Sequence, residues 1–353
     1  MTYSLEEAKY HVRATALELK KEGLIVRTWG NVSARVDENT FVITPTGRDF
    51  EGMTNEDIVT VNIKDGSYEA GKHPSSEYLI HLVTYKVNPE ARFIIHTHQP
   101  VASAISTLGV DFTDIRQYIP EGMTRDVHIL GNTIPTTPYE MNGTKDMMKS
   151  IGRTWKKNKF ATALLMKNHG ALCWGADDKE AFFVTKMLEK MSRWIYASIL
   201  ETPEEDFEFD NIYDTKYREK LRWSASIKEM QGCYSFVSRS PFLVRYSNLG
   251  KDLEAYLDDM AQIAGPSIKN IVGSTNQKEL ASALKNAPAV LLKGKGAVCI
   301  SNNEDEARFL CMVLEKTAMA AYFAKKNGYA SPIPDKIANE YRRNYLEKYS
   351  KLI

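Results

Sequence analysis

The chain has seven histidines, at 11, 73, 81, 96, 98, 128 and 169, and two of them stand one residue apart in the segment ARFIIHTH. That segment is apolar and β-branched, as expected of a buried strand, and Pro100 stops it. Side chains on a strand alternate between faces, so His96 and His98 point the same way. Their spacing suits a metal, although taken alone it reads first as a pair of hydrogen-bonded strand histidines. His169 supplies a third imidazole at the end of another apolar run, just before Gly170, where a flexible backbone lets a side chain turn toward a site. Three histidines with an open fourth position form the donor set of a catalytic rather than a structural zinc ion. Glu77 is the candidate acid/base. A second reading stands beside it: a carboxylate in the first turn of a helix stabilises the positive end of the dipole by ~0.3–1 kcal/mol with no role in chemistry.

Ser75 and Ser76 immediately precede Glu77, and a helix N-terminus with hydroxyls and free N–H groups is a natural phosphate site. Gly30-Asn31-Val32-Ser33 and Thr44-Pro45-Thr46-Gly47 suggest anion-binding loops, each offering small polar side chains and a glycine that can turn backbone N–H groups inward. By composition each is also an ordinary turn. The sequence has no P-loop and no Gly-x-Gly-x-x-Gly, so nucleotide binding has no motif behind it.

The elements that must position these residues alternate between helix and strand. Ser4 with Glu7 makes a capping box ahead of a helix that should stop at Gly23. FVIT (41–44) and DIVTVNI (57–63) read as strands, with Asp65-Gly66 as a hairpin turn. Ser75 or Ser76 can cap the helix SEYLIHLVTYKV, ATALLMKNHGALCWG is a second buried-strand candidate, and DDKEAFFVTKMLEKMSRWIYASIL is a long helix. This alternation implies an α/β fold.

At 353 residues the chain is long enough for two domains. Its 43% hydrophobic and 26% charged residues are those of an ordinary soluble protein, and a net charge of +1 gives no case for nucleic acid or membrane as partners. No run approaches the roughly 18 apolar residues of a spanning helix, and the charged start is unlike a secretory signal, so a cytoplasmic protein is expected. Cys173, Cys233, Cys299 and Cys311 form no Cys-x-x-Cys pair and read as reduced core residues. Residues 201–230 begin with a strongly charged stretch that suits a linker, which sets a first domain at 1–200 and a second at 231–353. ALLMKNHGALCWGADDKEAFFVTKMLEK (163–190) realigns with AVLLKGKGAVCISNNEDEARFLCMVLEK (289–316), placing Lys295 where the first copy has His169. The second domain is therefore expected to be a smaller, degenerate and non-catalytic α/β copy of the first.

In order along the chain, GNVSAR (30–35), ITPTG (43–47), PSSE (74–77), HTH (96–98) and KNHG (167–170) resemble the motifs of the class II aldolase/adducin family, above all its fuculose-phosphate aldolase branch. The resemblance covers residues 1–200. It implies a three-layer fold, a central sheet with helices on both faces, and a zinc ion, replaceable by cobalt or manganese, on His96, His98 and His169. It further implies a substrate phosphate cradled by Asn31, Thr46, Gly47, Ser75 and Ser76, with Glu77 as acid/base. The family's tyrosine acid falls near Tyr118, in RQYIPEG. The implied reaction is cleavage of a ketose 1-phosphate, fuculose-phosphate-like or a deoxypentulose phosphate, to dihydroxyacetone phosphate and an aldehyde. Adducin-type binding modules lack the three histidines, and the pentulose-phosphate 4-epimerase branch carries Asp where Glu77 stands; a sugar-phosphate dehydratase would share both features. Typical members end soon after residue 200 and form homo-oligomers in which the tail closes a neighbour's site, a role the motifs assign to none of Tyr341, Tyr345 and Tyr349. Residues 231–353 are expected to take the place of a second subunit, leaving fewer zinc sites than folded domains.

Overall fold

Helix α1 (Leu5–Lys21) begins as its sequence dictates, the Ser4 hydroxyl accepting from the Glu7 N–H while the Glu7 carboxylate accepts from the Ser4 N–H. Ala8, Val12, Ala16 and Leu19 form its buried stripe. The computed structural model describes residues 3–123, 125–220, 233–271, 277–285 and 287–347, and the chain divides into two units, Met1–Ile195 and Tyr196–Ile353.

In the first unit α1 is followed by β1 (Gly30–Arg35), β2 (Thr40–Ile43), β3 (Val59–Asn62), α2 (Tyr78–Val87), β4 (Phe93–Thr97), α3 (Pro100–Ser106), β5 (Phe112–Thr113), β6 (Thr133–Ile134), β7 (Thr136–Thr137), α4 (Lys145–Lys157), β8 (Ala163–Met166), β9 (Gly170–Gly175) and α5 (Asp178–Ile199). Seven strands form one sheet in the order β3-β2-β1-β4-β9-β8-β7. Only β7 and β8 run parallel. The period of two sorts its side chains into two cores. Phe41, Ile43, Ile94 and Leu172 pack with Ile80, Tyr85, Ile151 and Trp155 of α2 and α4, while Val32, Val42, Phe93 and Ile95 pack with the stripe of α1 and with Ala181 of α5. Helices on both faces of a central sheet match the expectation.

The second unit contains β10 (Arg218–Lys220), β11 (Tyr234–Ser238), α6 (Pro241–Ser247), β12 (Leu253–Glu254), α7 (Asp258–Ala264), β13 (Ser267–Ile268), β14 (Asn270–Ile271), α8 (Gln277–Leu284), β15 (Ala289–Leu292), β16 (Gly296–Ser301), α9 (Glu304–Asn327) and α10 (Asp335–Glu347). Its main sheet runs β10-β11-β16-β15-β14. Within the stretch expected to be a linker, 218–220 are thus a sheet strand; residues 221–230, like Tyr349, lie outside the described residues.

Three local expectations need correction. ATALLMKNHGALCWG is two strands, not one: Asn168 takes φ 59 and turns β8 back onto β9. GNVS is the start of β1 rather than a loop; Gly30 is required there because a Cβ would lie 2.8 Å from the His96 carbonyl oxygen on the neighbouring strand. Neither Ser75 nor Ser76 caps α2, whose N-cap is Glu77; the Ser75 hydroxyl accepts from the Glu77 N–H at 3.3 Å instead. Cys173, Cys299 and Cys311 are buried free thiols and Cys233, also free, is half-buried. Among the described residues no helix is long and apolar enough to cross a membrane.

Candidate active site

Strand β4 carries its apolar face as far as Ile94 and then turns polar, with His96 following on the same side, toward α2. The register places Asn31 of β1 directly opposite His96, and Ser33 opposite Ile94. The β8–β9 turn brings His169 to the same end of the sheet. There the Nε2 atoms of His96 and His98 lie 3.0 Å apart and those of His96 and His169 3.2 Å apart. Glu77 closes the group, one carboxylate oxygen 3.2 Å from His96 Nε2 and the other 3.1 Å from His169 Nε2. All four residues are buried.

These side chains fit a divalent cation. The His96 Nδ1–H donates to the Ala171 carbonyl at 2.8 Å, since a carbonyl can only accept, and this leaves Nε2 as the ring nitrogen that faces the other three side chains. Bare nitrogens at this spacing repel one another unless a cation sits among them. Tetrahedral bonds of about 2.0–2.1 Å to zinc would hold imidazole nitrogens roughly 3.3 Å apart, close to the separations seen. Burial on its own would raise the pKa of Glu77, but positive charge on the imidazoles of His96 and His169, and hydrogen bonds from them, outweigh it and hold the carboxyl well below its usual range. Glu77 is therefore ionised and within reach of the position a metal would occupy.

The expected phosphate residues gather above this floor. The 44–47 loop is zipped to the segment before α2: Thr46 N–H donates to the His73 carbonyl at 3.1 Å and Ser75 N–H to the Thr44 carbonyl at 3.0 Å. Gly47, at φ 65, turns the loop. Ser75 is buried, Thr46 half-buried, and Gly47 and Ser76 exposed, so the cluster grades from the sheet to the surface. Asn31 is buried and engaged at both ends, donating to Glu77 Oε2 at 3.1 Å through Nδ2 and accepting from His81 Nε2 through Oδ1. One of its two amide N–H groups remains for a ligand. Tyr118 is not brought to the cluster by its described contacts. It ends a short 3-10 helix (Ile115–Tyr118) with its ring edge-on to Phe112, centroids 6.5 Å apart.

His81 went unsingled in the sequence, yet it is fully buried beside these groups. The available signal was its spacing: Glu77 and His81 are four apart on a helix, hence on one face.

A family model for the "Class II Aldolase and Adducin N-terminal domain" matches residues 11–196. The chain is 31% identical to the L-fuculose phosphate aldolase of Escherichia coli strain K12 over 186 residues, 53% of this chain and 80% of that one. It is 36% identical to the 5-methylthioribulose-1-phosphate/5-deoxyribulose-1-phosphate aldolase of Escherichia coli O45:K1 strain S88 over 159 residues, 45% and 69% of the two chains. Among solved structures an L-fuculose 1-phosphate aldolase is similar at 24% identity and a TM-score of 0.48, covering 56% of this chain and 92% of that one. The chain belongs to the class II aldolase and adducin family. Its aldolase relatives and its buried donor cluster make it an enzyme, a metal-dependent aldolase that acts as a carbon–carbon lyase.

Proposed function

We propose that this enzyme is a zinc-dependent aldolase that cleaves a ketose 1-phosphate, fuculose-phosphate-like or a deoxypentulose phosphate, to dihydroxyacetone phosphate and an aldehyde. The observation that carries the reading is the convergence of three imidazole Nε2 atoms and both Glu77 carboxylate oxygens on one buried point. His96, His98 and His169 would hold the ion. Bound there, zinc would act as a Lewis acid beside the substrate carbonyl, stabilising developing negative charge by several kcal/mol, about 2 to 5.

The chain's own groups account for the remaining steps. Thr46, Gly47, Ser75, Ser76 and the second amide N–H of Asn31 bind the phosphate and so fix which carbon meets Glu77. Cleavage breaks C3–C4: the C4 hydroxyl proton passes to the ionised Glu77, C4 leaves as the aldehyde, and the bonding pair stays on the C2–C3 enediolate. Glu77 then delivers that proton to C3, giving dihydroxyacetone phosphate with atoms and charge balanced. The site's burial keeps bulk water from protonating C3 out of turn.

We propose in addition that the second unit is a degenerate copy of the β4-to-α5 half of the first, and that the enzyme works as a homo-oligomer with one metal site per chain. The β15/β16 register, Ala289 opposite Cys299 and Leu292 opposite Gly296, is the β8/β9 register, Ala163 opposite Cys173 and Met166 opposite Gly170, moved by 126 residues (Ala163 to Ala289). Thr97 faces Ala171 as Ser238 faces Ala297. In that alignment Val237, Arg239 and Lys295 stand where the first unit has His96, His98 and His169, and none of them can replace an imidazole as a zinc ligand at neutral pH.

A panel of ketose 1-phosphates incubated with metal-loaded enzyme tests the reaction. Dihydroxyacetone phosphate should appear, stop with chelator and return with zinc, cobalt or manganese. Full turnover of metal-free protein, an epimerised pentulose phosphate or a dehydrated product would each contradict it.

A further inference from the structure

Behind Glu77 lies a line of buried polar side chains, Asn31 and Ser33 from one face of β1 and His81 and Tyr85 from one face of α2. Asn31 Nδ2 meets Glu77 Oε2 at 3.1 Å, Asn31 Oδ1 meets His81 Nε2, His81 Nδ1 lies 2.7 Å from Ser33 Oγ, and Ser33 Oγ lies 2.8 Å from Tyr85 Oη. A buried polar group left unpaired costs roughly 1–3 kcal/mol, so every donor here needs its acceptor, and this requirement fixes each proton. Asn31 Nδ2, a donor only, lies on Glu77 Oε2, which leaves the amide oxygen, an acceptor only, facing His81. His81 must then donate from Nε2. Burial pushes its imidazole down to about 3, so the ring is neutral and Nδ1 is bare. Ser33 donates to Nδ1, and Tyr85 donates to Ser33. Three of the four links are thereby assigned by elimination, and all the donors between His81 and Glu77 point at the carboxylate.

We propose that His81 is a positioning residue: acting through Asn31, it locks the amide in the one orientation that fixes Glu77 Oε2, and so sets where the catalytic carboxylate stands. Without the His81 donor, Asn31 could flip and present its oxygen to the carboxylate, which would repel it. This inference rests on the aldolase reading for its consequence in turnover, although the geometry it describes does not.

The test compares His81→Gln with His81→Asn in the full-length enzyme. Both are polar and shorter or no larger than imidazole. Glutamine places its amide nitrogen near the position of Nε2 and can still donate to Asn31, whereas asparagine reaches only the level of Nδ1. His81→Asn should lower kcat by roughly 10–100-fold with KM for the ketose 1-phosphate little changed, and His81→Gln should recover most of it. Combined with Asn31→Ala, the His81→Asn change should cost nothing further in kcat, because both act on one link. A readout independent of turnover is the visible spectrum of bound Co²⁺, which should change in His81→Asn and stay as in wild type in His81→Gln. Multiplicative losses in the double variant, equal effects of Asn and Gln, or an unchanged cobalt spectrum in His81→Asn would overturn the proposal. Wild-type enzyme that cleaves no ketose 1-phosphate would sink the aldolase reading instead, and the cobalt spectra would then decide this one.

Discussion

Glu77 is buried, ionised and in contact with two imidazoles and one amide, and no such set is needed to settle a helix end. The dipole reading accounts for at most about 1 kcal/mol, whereas burying a carboxylate without partners costs several; its neighbours are what permit it to be there. Replacing it by the isosteric amide keeps shape and removes the proton acceptor. Glu77→Gln should therefore retain its metal and its fold while kcat falls at least about 10²-fold, checked by metal analysis beside steady-state kinetics. At this scale the sequence was legible where residue type alone carried the chemistry: His96, His98 and His169 meet as expected. It was silent on His81, because a histidine in an apolar helix looks like core until Asn31 and Ser33 are known to lie across from it.

Among the elements, the β8–β9 hairpin does the most to assemble the site. Its close approach to β4 is set by Gly170, where a Cβ would lie 2.3 Å from the Thr97 carbonyl oxygen. Gly170→Ala should push β9 from β4 and carry His169 away from His96, lowering metal affinity at least about ten-fold and stability by about 1–3 kcal/mol, measured by zinc competition and urea titration. Loss of stability with unchanged affinity would mean the turn is not what aims His169. The apolar run 162–175 hid this hairpin, since every residue but Thr162, Lys167 and Trp174 is buried and neither alternation nor a Gly-rich turn marks where the chain reverses. The 44–47 loop was legible for the opposite reason: Pro45 and Gly47 prescribe a turn whatever surrounds them. Ser75 and Ser76 misled as caps because a Ser-Ser-Glu string satisfies the helix-start pattern at several positions, and only the packing of Glu77 against the histidines selects one.

For the whole molecule, the order β4-β9-β8-β7 in the seven-stranded sheet parallels β11-β16-β15-β14 in the five-stranded one, and the β8/β9 register parallels that of β15/β16, but the histidine positions are not matched. Gly296 in the second unit stands 126 residues after Gly170, and a Cβ there would lie 2.0 Å from the Ser238 carbonyl as one at Gly170 would approach Thr97. The same close backbone approach thus recurs where the chemistry does not, which supports a copy that kept its packing constraints and lost its ligands. Glu189 and Glu315, also 126 apart, have different partners: Glu189 accepts from the Val101 and Ala102 N–H groups at the start of α3, while Glu315 binds Arg218 through both oxygens and Ser238 through one. The proposed repeat rests in sequence on 163–190 and 289–316, where the strands and helices carry a similar apolar pattern. Between β4 and β11 no residues match around the histidines, so the proposal that these strands correspond rests on their pairing alone. Metal analysis of the purified full-length chain tests the central claim most directly. One divalent ion per chain in the wild type, absent from His96→Ala and retained in Lys295→Ala, is the predicted result; two ions per chain, or one that survives the loss of His96, would contradict it.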